Sequence, residues 1–120
     1  MIKRHTISFK NAFKGLYWAL TTQPNYRIHL ILSLAAVAGG WRLHISYSEW
    51  LVIISLIFIG FGFETINTAI EATTDAIDDK WRDDIKIAKD VAAGAMLIFA
   101  FGALTVAGII FLPKLFTLFV

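Results

Sequence analysis

The 120-residue sequence contains no cysteine. Disulfides, zinc-thiolate sites and a cysteine nucleophile are therefore excluded, although the absence does not fix a compartment. Proline occurs only twice, at Pro24 and Pro113, so long stretches are free of helix breakers. Residues 1–20 lack the apolar core of a secretory signal, because Lys3, Arg4, Lys10 and Lys14 interrupt them. The formal net charge is only +2, which gives no nucleic-acid footprint. Walker A, a kinase glycine-rich loop and the H-E-x-x-H metal motif are missing. Any nucleotide site would have to be assembled from helix faces and helix ends. Internal repeats, low-complexity tracts and linkers are absent too, so the length allows one domain.

What is present is apolar. Hydrophobic residues make up 58% and charged residues 17%, too little polar surface to cover a water-soluble domain of this size. Lipid is the expected solvent. Val91–Leu112 is a run of 22 residues without a charge, about 33 Å as a helix, with Pro113 and Lys114 behind it. Trp50–Phe63 runs uncharged into Glu64 with no breaker, which predicts one helix from 48 to 74. Ile28–Trp41 is short, but Arg27 and Arg42 can snorkel, and a crossing over 27–45 reaches the needed length. Ahead of these, Ser8 is a candidate N-cap. Phe9, Phe13, Leu16 and Leu20 then line one face, which predicts an amphipathic surface helix over 8–22 and a chain turn at Pro24. The expected fold is an all-α integral membrane protein with three crossings (27–45, 48–74 and 90–113) and one surface helix, a single domain over 1–120.

Basic residues set the expected orientation. Five lie before the first crossing (Lys3, Arg4, Lys10, Lys14, Arg27) and four in the 75–90 loop (Lys80, Arg82, Lys86, Lys89), against Arg42 and Lys114 on the other side. That bias predicts a multi-pass protein of the cell (inner) membrane with a cytoplasmic N-terminus. Trp18, Trp41, Trp50 and Trp81 fall near predicted boundaries, as aromatic belts require. The third crossing is rich in small residues, among them Ala92, Ala93, Gly94, Gly102 and Gly108, which permit close helix approach and a closed homo-oligomer.

Glu64, Asn67, Glu71 and Asp75 fall at i, i+3, i+7 and i+11, one stripe on one helix face. Acids at such depth are expensive and mark function, the bland alternative being an interhelical polar clamp. Glu71, nearer the loop, suits Mg²⁺ beside phosphate oxygens, and the deeper Glu64 suits a base that takes a proton from a hydroxyl. Lys89 and Asp90 begin the last helix, where cations and free N–H groups can hold phosphate; Lys86 and Lys89 are otherwise positive-inside anchors. His29, a lone interfacial histidine, reads as structural, and Asp78, Asp79, Asp83 and Asp84 as solvated loop.

At these residues the chain resembles the prokaryotic diacylglycerol kinase family. The resemblance rests on Glu64-x-x-Asn67-Thr-Ala-Ile-Glu71-Ala-x-x-Asp75 and on Ala88-Lys89-Asp90-x-Ala-Ala-Gly94-Ala, at the family's spacing. Asn25-Tyr26-Arg27-Ile28-His29-Leu30 is similar to the undecaprenol kinase branch. The likeness implies a homotrimer with active sites between subunits at the cytoplasmic face. It also implies transfer of the γ-phosphoryl of MgATP to a lipid alcohol, undecaprenol as the first reading and diacylglycerol as the second. Carried over, Glu64 resembles the general base and a lipid contact together with Arg27, and Glu71 the metal carboxylate. Asn67, Lys89, Asp90, Arg4 and Asn11 resemble nucleotide contacts, joined by Glu71, and Arg82 can still reach phosphates although its segment departs from the family. Two positions depart from the family. Gln23 stands where a metal-binding glutamate is usual, and Lys80-Trp81-Arg82 replaces a common Glu-Tyr-His. Outside the family, the rival reading is a non-catalytic oligomer or small transporter using Glu64. It would need polar access from both faces, yet beyond the cytoplasmic half the only acid is Glu49 at the far boundary.

Overall fold

A computed structural model describes the backbone of residues 2–119 and the side chains of residues 5–119. The Arg4 side chain, a candidate nucleotide contact, lies outside the described residues. Among these residues the chain is helical with no strand: α1 (Ile2–Thr22), α2 (Pro24–Arg42), α3 (Tyr47–Ile77) and α4 (Asp83–Phe116). α3 packs against both α2 and α4, while α1 joins the others only through its C-terminal end, where Ala19 is buried. The result is a flat body of 57 × 43 × 22 Å, about two helices thick.

Helix ends explain where the observed bounds differ from the sequence-based ones. α1 starts at Ile2 rather than Ser8, because nothing in residues 2–7 breaks a helix. Pro24 opens α2 as its first residue, a position where its missing N–H costs nothing. α2 stops at Arg42, three residues early. His44 adopts φ 50°, and the Ile45 N–H bonds to the Gly40 carbonyl (3.1 Å) while the His44 N–H bonds to Trp41 (3.4 Å). This is a Schellman closure with histidine in the left-handed position that glycine usually fills. Ile45 then folds back over Gly40. α3 begins with a reciprocal cap: Ser46 Oγ accepts the Glu49 N–H (3.3 Å) and Glu49 Oε2 accepts the Ser46 N–H (2.6 Å). α4 starts at Asp83, so Asp83 and Asp84 form its first turn rather than loop, where acids favour the helix dipole. At its other end α4 runs through Pro113 to Phe116. The lost N–H frees only one carbonyl within a turn of the helix end.

Among the described residues, α3 and α4 are the two helices long and apolar enough to cross a membrane. α2 has 19 residues and carries Asn25, Arg27, His29 and Arg42, which keeps it short of that measure. The antiparallel α3–α4 pair is tied at both ends. Lys114 Nζ meets Glu49 Oε2 at 3.1 Å at one end, and Lys89 pairs with Asp75 at the other. Glu49 and Asp75 are 26 positions apart and Lys89 and Lys114 are 25 apart, so the two ties fit one register. The buried core of Ile45, Ile53 and Ile110, with Trp50, Val106 and Phe111 against it, lies toward the Ser46 end. Most other large apolar side chains, such as Phe58, Ile98, Phe101 and Leu104, are exposed around the α3–α4 pair, as lipid-facing surface would be.

Gly60 sets how closely α4 approaches α3. A Cβ there would stand 2.7 Å from the Phe99 ring, whereas one at Gly62 would meet nothing within 4 Å. Gly60→Ala should therefore lower stability in detergent by about 1–3 kcal/mol. Gly62→Ala should be neutral or raise it by up to about 1 kcal/mol. Chemical or thermal unfolding of the two variants checks the contrast.

Candidate active site

The polar stripe of α3 lies at the end of the bundle away from the aliphatic core. Its inner residues are taken out of solvent: Glu64 is 3% exposed, Asn67 and Thr68 are 6% exposed. The packing that achieves this comes from α2. Tyr26, itself buried, packs its ring tilted against Phe61 with centroids 5.2 Å apart, and its hydroxyl meets Thr65 Oγ1 at 3.3 Å. One turn further along α2, His29 Nε2 stands 3.8 Å from Glu64 Oε2. Glu64 therefore has a polar neighbour from another helix.

Asn67 and Glu71 act as a unit. Asn67 Nδ2 donates to Glu71 Oε1 at 3.1 Å, an i,i+4 contact. Asn67 Oδ1 is buried with no hydrogen-bond partner. An orphaned buried acceptor costs about 1–3 kcal/mol, so this oxygen is poised for a donor or a cation. With the Glu71 carboxylate beside it, the pair offers hard oxygen ligands of the kind Mg²⁺ takes alongside waters and phosphate oxygens. Among the described residues no three or more acids or histidines converge as a complete metal cage.

The basic groups sit around the rim. Lys89 of α4 pairs with Asp75, the last acid of the stripe, and Asp90 pairs with Lys86. Arg82 holds Asp84 through two bonds (2.6 and 3.1 Å) and reaches Asp78 at 3.8 Å. The hydrogen bonds to Asp84 make the Arg82 guanidinium hold its proton more firmly than usual. These pairs are solvent-exposed, and exposed pairs are worth only about 0–1 kcal/mol, so a phosphate can displace the acids at little cost.

Three candidate residues lie elsewhere in one chain. The Gln23 amide donates to the Thr22 hydroxyl at 3.2 Å, at the joint between α1 and α2. Arg27 reaches back to α1, donating to the carbonyls of Leu20 (3.3 Å) and Thr21 (2.8 Å), where the helix end is partly negative. Asn11 is exposed on α1. Structure adds one residue that the sequence reading set aside. His29 and Glu64 are 35 positions apart on different helices, and only their packing brings them together.

An apolar groove of about 520 Å³ opens between α2 and α4, floored by α3. Leu32, Ala36, Ile57, Ala100 and Leu104 are among its walls, with His29 and Ser33 as its polar side chains.

Comparison with known proteins adds to this geometry. Residues 10–111 match the family model described as Prokaryotic diacylglycerol kinase. An undecaprenol kinase of Bacillus subtilis is 39% identical over 114 residues, covering 95% of this chain and 93% of that protein. A diacylglycerol kinase of Synechocystis is 35% identical over 115 residues, covering 95% of this chain and 66% of that protein. A diacylglycerol kinase of Helicobacter pylori is 30% identical over 97 residues, covering 75% of this chain and 76% of that protein.

Proposed function

This chain belongs to the prokaryotic diacylglycerol kinase family and is a membrane lipid kinase, and from that premise we propose that it moves the γ-phosphoryl of MgATP onto undecaprenol, giving undecaprenyl phosphate. The observation that carries the site is the buried Glu64–Asn67 face with Glu71 at its outer end. The greater identity to the Bacillus subtilis undecaprenol kinase, over nearly the full length of both chains, favours the polyprenol. Diacylglycerol is the second reading, supported by the other two relatives.

In the proposed reaction Glu64 accepts the proton of the lipid hydroxyl. The hydroxyl oxygen bonds to the γ-phosphorus, the bond from that phosphorus to the bridging oxygen breaks, and ADP leaves. Glu71 and Asn67 Oδ1 would hold Mg²⁺, with Gln23 contributing a neutral oxygen at most. Lys89 and Arg82 would exchange their acids for phosphate oxygens, and Arg4, Asn11 and Asp90 complete the nucleotide contacts. Arg27, at the foot of the surface helix, would face the lipid headgroup region. Little covalent chemistry is asked of the protein; its work is positioning and charge stabilisation.

The exposed apolar surface argues for assembly. Ile31 and Leu34 of α2 and Ile98 and Phe101 of α4 have no protein cover in a single chain, and a closed homotrimer with sites between subunits would supply it. In that assembly α2 is the third crossing. Its arginines, Arg27 and Arg42, lie at opposite ends and can snorkel to the two interfaces. The site end faces the cytoplasm of the cell membrane, where ATP is, a reading supported by the distribution of Lys and Arg. A cysteine introduced at Asp79 should react with an impermeant thiol reagent only after cells are opened, and one at Ser46 in intact cells. The reverse pattern overturns the orientation.

Two substitutions separate the carboxylates. Glu64→Gln should lower turnover about 10²–10⁴-fold, as loss of a positioned base does, with MgATP affinity preserved. Glu71→Gln should abolish turnover and raise the Mg²⁺ needed for any residual activity. Turnover at saturating lipid and magnesium titration on the purified protein check both. Parallel collapse of nucleotide affinity in Glu64→Gln would make Glu64 a metal or structural residue.

A further inference from the structure

His29 Nε2 and Glu64 Oε2 are 3.8 Å apart, too far for a direct hydrogen bond and close enough for one oxygen to bond to both. An oxygen placed about 2.8 Å from each atom would lie within hydrogen-bond distance of both. The imidazole is held from two sides. Phe61 and Phe99 both stand with ring centroids 6.3 Å from it. Phe99 is in turn seated over Gly60, where no side chain keeps it away. Nδ1 is turned toward Gly60 of α3, leaving Nε2 toward the carboxylate. A proton on Nδ1 would face hydrocarbon, whereas a proton on Nε2 faces an acceptor, so the neutral ring is set to donate from Nε2.

Exposure gives the pair a direction. The Glu64 side chain is 4% exposed and that of His29 is 22% exposed. His29 also lines the apolar groove between α2 and α4, and Glu64 does not. A molecule arriving along that groove therefore meets the imidazole before the carboxylate. The groove is otherwise walled by aliphatic and aromatic side chains apart from Ser33, so what arrives that way is a hydrocarbon carrying one polar end.

We propose that His29 is a substrate contact: its Nε2–H donates to the oxygen of the lipid hydroxyl while that hydroxyl donates its own proton to Glu64 Oε2. The two bonds fix the oxygen in place and aim its remaining lone pair. A base alone would leave the hydroxyl free to swing about a single hydrogen bond. This role rests on the proposed reading of Glu64 as the base, and it gives His29 work on the lipid and none on the nucleotide.

The test uses the full-length protein purified in detergent with undecaprenol and dioleoylglycerol as lipid probes and MgATP as donor. Three variants are compared: His29→Ala, His29→Gln and His29→Phe. Glutamine keeps an N–H donor, while phenylalanine keeps the ring and loses it. The expected result is a fall in kcat/KM for the lipid of about 10–100-fold in the Ala and Phe variants, with KM for ATP within twofold of the parent. Glutamine should recover a large part of the loss and phenylalanine none. If Ala fails to fold, the Gln and Phe variants decide alone. Lipid kinetics within twofold of the parent in all variants would overturn the contact. So would recovery by Phe as complete as by Gln, since volume and not the donor would then matter, or a parallel rise in KM for ATP. A parent protein that phosphorylates neither lipid would instead remove the kinase chemistry on which the role rests.

Discussion

A helix surrounded by lipid cannot leave a carboxylate facing hydrocarbon, and α3 carries Glu64 directly at the end of its apolar run Trp50–Phe63. Much of the arrangement answers that constraint. α2 crosses α3 so that Tyr26 and His29 cover the stripe, and Thr65 and Thr74 return their hydroxyls to carbonyls of their own helix. Gly60 and Phe99 bring α4 against the same stretch. What the single chain leaves unsatisfied, the free oxygen of Asn67, lies beside Glu71 toward the aqueous end. Polar residues inside a membrane are tolerated when they have partners, and among the described residues the buried side-chain oxygen of Asn67 has none.

The molecule divides its two tasks between its ends. The Ser46 end is closed by a reciprocal cap, a Schellman turn and the Ile45–Ile53–Ile110 cluster. These features give rigidity. The other end is held by ion pairs at the surface, Lys89 with Asp75, Lys86 with Asp90 and Arg82 with Asp84. Such pairs orient the basic groups and release them at little cost. A firm distal end lets the rim rearrange around a substrate while the register of α3 and α4 is kept.

Much of this was legible in the sequence, and the limits have physical causes. The helices follow from uninterrupted apolar runs, and the stripe from the spacing of Glu64, Asn67 and Glu71, because helical periodicity is a local property. Helix ends were less legible. Pro113 reads as a stop, yet α4 continues past it, since a proline near a helix end forfeits one bond and not the helix. His44 gives no sequence signal as a left-handed cap, a place where glycine is expected. The pairing of His29 with Glu64 was out of reach for a different reason. It depends on the crossing of α2 over α3, and no spacing along one helix encodes a contact between two.

The ties at the two ends of α3 and α4 have a mechanical meaning. Glu49–Lys114 and Asp75–Lys89 are separated by 25 or 26 residues, and the uncharged run Val91–Leu112 between them is about 33 Å of helix, against a hydrocarbon thickness of about 30 Å. Helices packed on each other along their length, at Gly60 against Phe99 and at Ile53 against Ile110, do not readily slide past each other to absorb that excess length. They can only tilt together as one strut. A thinner bilayer therefore leans the pair over, and in leaning changes the depth of Glu64 beneath the headgroups while its distances to its neighbours are kept. Bilayer thickness then becomes a variable that acts on how lipid is presented to the site and leaves the site's internal geometry untouched.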